Sequence, residues 1–126
     1  MISLAAIVFS VLVGIPILFQ FALALGAPWG EYSMGGKFKG RYPKKMRVVA
    51  VINAFFLFLV GTIVLMRAQF ISPLLYAFSK TAIWFVVGFS VLSIVLNAIT
   101  KSVWERRIWL PVAIGMLISS LVLALG

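Results

Sequence analysis

Only two side chains in this 126-residue chain can carry a negative charge, Glu31 and Glu105, and they face eleven lysines and arginines. There is no cysteine and no histidine. Without thiols there is no thiolate nucleophile, disulfide or iron–sulfur ligation. Without imidazoles the usual zinc and haem ligands and the usual general base are missing. A carboxylate dyad or a two-metal site would consume both acids at once. The sequence therefore predicts a non-enzymatic protein with no metal and no cofactor. A lipid-active enzyme would have to use Glu31 or Glu105.

The polar groups that are left form two sets. The first is three amides inside apolar runs, Gln20, Asn53 and Asn97. Gln20 precedes Gly26 by six residues, Asn53 follows Arg47 by six, and Asn97 precedes Lys101 by four. At 1.5 Å per residue each lies about 6–9 Å inside the same boundary. Glu31, Glu105 and Arg106 come just beyond them on that side. Polar groups in lipid are costly and mark functional candidates. The competing reading is interhelical glue, in which each amide contributes about 0.6 kcal/mol. Ser90 and Ser93 continue the Asn97 face at helical spacing.

The second set is basic: Lys37, Lys39, Arg41, Lys44, Lys45 and Arg47, interleaved with Phe38 and Tyr42. Cations mixed with aromatics suit anionic headgroups, at about 1 kcal/mol per basic residue near the surface. The same charges also serve simply to set topology. Nucleic acid is not expected, because the charge is confined to segments flanking apolar runs. A partner membrane protein or a second copy of the chain is the other expected contact.

The elements that must position these groups follow from composition. Hydrophobic residues make up 64% of the chain, about 80 residues, and charged ones 10%. Soluble domains average roughly 45–50% apolar and about 25% charged. At ~20 residues per crossing, ~80 apolar residues make four spans. The runs fall at about 2–25, 48–66, 81–99 and 108–125. Lipid cannot satisfy exposed backbone groups and barrel-type alternation is absent, so the runs are helices. The expected fold is all-α, a polytopic transmembrane four-helix bundle in one domain, residues 1–126. The first run lacks a preceding basic residue and exceeds a signal-peptide core, so it reads as a retained span.

Nine basic residues lie in the first and third connections and two in the second. The positive-inside rule places the nine in the cytoplasm, with both termini outside. Each span has a central glycine, Gly14, Gly61, Gly88 and Gly115, which suits close helix approach, as do Ala50 with Ala54 and Gly115 with Ser119. Pro16 is interior to the first span and is expected to bend it. Pro111 falls in the first turn of the fourth apolar run, where proline is tolerated. Tryptophans and tyrosines flank both ends as an aromatic belt.

The first connection, 26–47, is longer than two antiparallel helices need and holds half the glycines. A flexible hairpin and an ordered lid over the polar cluster are both compatible with that. It has no phosphate-loop spacing. Its residues Gly26-Ala27-Pro28-Trp29-Gly30, Gly35-Gly36, Gly40-Arg41-Tyr42-Pro43 and Arg47, with Glu105-Arg106 and Trp109-Leu110-Pro111, resemble a pattern in small, uncharacterised bacterial four-span integral membrane proteins. The resemblance implies this architecture and a bacterial membrane, and no mechanism. Two functions are expected in order: an accessory or interaction protein whose basic face meets anionic lipid or a partner, then a small oligomeric transporter or channel subunit using the polar cluster.

Overall fold

A computed structural model describes residues 2–32, 40–70, 74, 76–100 and 103–126, and all their side chains except those of Glu31 and Trp104. Lys37 and Lys39 lie outside the described residues. The chain forms helices α1 (Ile2–Ala24), α2 (Lys44–Arg67), α3 (Tyr76–Ile99) and α4 (Val103–Leu125), with a short 3-10 turn at Gly30–Tyr32. At 1.5 Å per residue each helix is about 35 Å long, which covers a ~30 Å hydrocarbon core. All four are long and apolar enough to cross a membrane, and the fold is an all-α four-helix bundle. We call the end carrying residues 26–43 and the α3–α4 connection the basic end, and the other the termini end.

Neighbours follow in the order α1, α2, α3, α4, and α4 closes the ring against α1. Gly61 of α2 meets Val13, and Gly115 of α4 meets Leu12, at the middle of α1. A Cβ on Gly115 would come within 2.6 Å of the Leu12 side chain, so Gly115 lets α4 approach α1 closely, whereas a Cβ on Gly61 would stand 3.5 Å from Val13, an ordinary contact. Gly14 and Gly88 have nothing within 4 Å of a Cβ position, so the close-approach role belongs to Gly115 alone of the four.

The bundle is apolar outside as well as inside. Leu4, Val11 and Leu18 line the outer face of α1, and Phe85, Leu92 and Ile99 that of α3. The interior mixes Phe9, Val60, Val64, Ile83 and Val86 with alanines and serines such as Ala6, Ala54, Ser79, Ser90 and Ser120. Lipid supplies no hydrophobic drive between helices, so small residues that allow close packing take its place. Buried hydroxyls such as Ser90, to the Val86 carbonyl at 2.9 Å, and Ser119, to Gly115 at 2.7 Å, bond within their own helices.

The helices overrun the apolar segments. α2 begins four residues before Val48 and α4 five before Ile108, because an apolar run marks the hydrocarbon crossing while the helix continues into the headgroup layer. Pro111 is therefore interior to α4, not in its first turn. At its other end α1 closes in a Schellman turn: Ala27 N–H donates to Ala22 O at 2.9 Å and Gly26 N–H to Leu23 O at 3.1 Å. That turn requires a left-handed residue, and Gly26 supplies it at φ +101°.

Candidate functional site

At the basic end, α1, α3 and α4 diverge around a cavity of about 170 Å³. Gln20 enters it from α1, Ser93 and Asn97 from α3, Glu105 and Trp109 from α4. Its deeper walls are apolar, including Pro16, Leu57, Phe89 and Met116. The result is an amphipathic pocket with its hydrogen-bonding groups toward the headgroup side. Asn97 Nδ2 donates to the Ser93 carbonyl at 2.7 Å, which fixes the amide against its own helix. Glu105 is 8% exposed and stands in the first turn of α4, where the positive end of the helix dipole favours a carboxylate.

The first connection packs over this end. The Trp29 ring stacks on Phe19, with centroids 6.5 Å apart and planes at 8°. Phe19 meets Trp109 edge-on at 4.9 Å. Trp109 Nε1–H donates to the Tyr32 carbonyl at 2.7 Å, joining two residues 77 positions apart. The Gly30 amide donates to Gly40 O at 2.9 Å and ties the two arms together. Tyr42 is buried against Leu23 and Ala50. For residues 26–32 and 40–43, then, the connection is an ordered cover. A second, shallower groove of about 570 Å³ runs between α1 and α4 and is lined by Ile15, Leu18, Ala22 and Ile108. Phe19 and Trp109 border both spaces.

Of the three amides predicted to share a depth, Gln20 and Asn97 line one cavity, together with Glu105, which was expected just beyond them. Asn53 sits half-buried on α2 and is not among the lining residues. Arg106 points away, exposed, with Nη2 donating to Thr100 O at 3.4 Å. The backbone of Glu31 belongs to the 3-10 turn, and its side chain lies outside the described set. Of the basic set, Arg41, Lys44 and Lys45 are exposed. Arg47 is half-buried and structural: its Nε donates to Tyr42 O at 3.1 Å, and its guanidinium lies 3.2 Å from where a Gly26 Cβ would be. Phe19 and Trp109 are lining residues that sequence reading did not assign to this cavity. An aromatic near a helix end looks like any other member of the belt until its partner is known.

No protein-family model, curated protein or solved structure matches this chain.

Proposed function

We propose that this chain is a multi-pass protein of a bacterial cytoplasmic membrane, N-out and C-out, that works without chemistry by presenting a basic cytoplasmic face to anionic headgroups. The observation that supports this reading is the gathering of exposed cations at one end. Arg41, Lys44, Lys45, Arg106 and Arg107 are all exposed there. The ordered cover holds Arg41 in place through the Gly30–Gly40 tie next to it. Held cations keep their headgroup contacts without the entropy cost of ordering a free hairpin on each encounter.

The test is lipid selectivity in reconstituted vesicles, read as the motionally restricted fraction of spin-labelled phosphatidylglycerol against phosphatidylcholine. One lysine contact at about 1 kcal/mol corresponds to about a fivefold preference. The wild-type protein is expected to prefer phosphatidylglycerol by about that factor at low salt. Replacing Lys37, Lys39, Lys44 and Lys45 with glutamine should clearly lower the ratio. So should raising the salt toward 1 M, where screening shortens to about 3 Å. A preference that neither change lowers rules the reading out, and capture of an acidic partner protein instead of lipid would reassign the face.

The cavity favours a second reading, a small oligomeric transporter or channel subunit. Gln20, Asn97 and Glu105 would then bind a small solute from the cytoplasmic side. Proteoliposomes loaded for potassium, chloride and glycerol flux test it. Flux that Asn97→Leu abolishes, with insertion unchanged, supports this reading; vesicles no leakier than protein-free ones remove it.

A further inference from the structure

The termini end holds an electrostatic imbalance that the basic face does not explain. Arg67, in the last turn of α2, is 5% exposed. Its polar contacts among the described residues are both with Tyr76, the first residue of α3. Nη1 donates to the Tyr76 hydroxyl at 3.3 Å, and Cζ lies 5.6 Å from the ring centroid. Lys80, one turn further along α3, brings its Nζ to 5.7 Å from the same centroid. Two cations thus share one aromatic ring.

A guanidinium stays ionised in proteins, and a buried ion needs a counter-charge. Neither side-chain carboxylate can supply it. Glu31 and Glu105 both belong to the opposite end of helices about 35 Å long. Residues 68–75, which connect α2 to α3, contain no acid. The ring quadrupole and the negative end of α2 attract Arg67 but carry only partial charge. At the start of α3 the dipole has the other sign. Its first-turn amides lack intrahelical acceptors and favour an anion there, while disfavouring a cation such as Lys80. A buried arginine and an exposed lysine therefore both lie against Tyr76, at a helix N-terminus that also favours an anion.

We infer that Arg67, Tyr76 and Lys80 form a binding site for a phosphoryl oxyanion at the termini end of the bundle. The planar fork of Arg67 suits two oxygens of a phosphate, Lys80 acts as a point charge, and the Tyr76 hydroxyl sets the orientation. A phospholipid headgroup and free phosphate present the same chemistry.

The experiment uses the full chain carrying Lys37, Lys39, Lys44 and Lys45 as glutamines, so that the basic end competes less. The protein, in a neutral detergent free of phosphate, is titrated calorimetrically with dihexanoyl phosphatidylglycerol and, separately, with inorganic phosphate. Saturable one-site binding of either is expected, weakened at least about tenfold by Lys80→Gln and by Arg67→Gln, the scale of a lost charge-assisted bond. Saturation by the lipid alone identifies a headgroup site, and saturation by phosphate as well identifies a free-oxyanion site. Absence of saturable binding in both titrations overturns the inference, as expected of an arginine that merely snorkels to the surface. Unchanged affinity in Lys80→Gln also overturns it. That side chain is exposed, so this arm stands even where Arg67→Gln fails to fold.

Discussion

Trp109→Ala is expected to speed hydrogen exchange at the Gly30 amide by at least about 100-fold. The Gly30 N–H is held by Gly40 O at 2.9 Å, so it exchanges when the cover lifts from the bundle. Trp109 pins that cover in two ways, through the 2.7 Å bond to Tyr32 O and through its edge contact with Phe19, on which Trp29 stacks. Deleting a packed tryptophan costs about 3 kcal/mol. Spent on a local opening instead of global unfolding, that amounts to more than 100-fold in the open population. Because Trp109 borders both the polar cavity and the apolar groove, its removal also joins the two. Trp109→Phe keeps most of the ring and loses only the donor, which costs about 1 kcal/mol, and should accelerate exchange about fivefold. Equal exchange in all three proteins would mean that the cover is held by something other than Trp109.

The second large effect concerns orientation. Nine basic residues on one side against two on the other is a strong bias, and basic residues near span ends dominate topology while acids contribute little. Replacing Lys37, Lys39, Arg41, Lys44 and Lys45 with glutamine leaves four at the basic end. Adding Phe70→Lys and Leu74→Lys at exposed positions of the other end raises that count to four. With the counts equal, the chain should insert in both directions in comparable amounts, whereas the wild type is expected to insert in one. The apolar spans are untouched, so total insertion should be preserved. A variant still inserted one way only would show that charge is not what orients it.

The fold was legible because composition and run length determine it almost alone: lipid forces apolar runs of this length to be helices. The site was only partly legible, for a physical reason. Counting residues from a boundary measures depth at 1.5 Å per residue, and depth placed Gln20, Asn53 and Asn97 together, with Glu105 just beyond them. Rotation about the axis needs an apolar-to-polar contrast around the helix, and α2 has apolar side chains on every face, so nothing showed that Asn53 turns away from the cavity. Helix ends were misplaced for a related reason, since residues 44–47 and 103–107 are helical yet charged or polar in part. The Trp109–Tyr32 bond spans 77 positions and leaves no local trace. Arg67 illustrates the same limit. Its position at a span end predicts a snorkelling cation, and only the packing of Tyr76 beside it reveals that it is buried.

Whether the basic end faces the cytoplasm is directly measurable, because the sequence contains no cysteine. Single-cysteine variants Ser3→Cys and Lys45→Cys, both at exposed positions at opposite ends, are treated with a membrane-impermeant maleimide in intact bacteria and again after permeabilisation. The cytoplasmic orientation of the basic end predicts that Ser3→Cys labels in intact cells and Lys45→Cys only once the membrane is opened. Labelling of Lys45→Cys in intact cells, alone or together with Ser3→Cys, would contradict it.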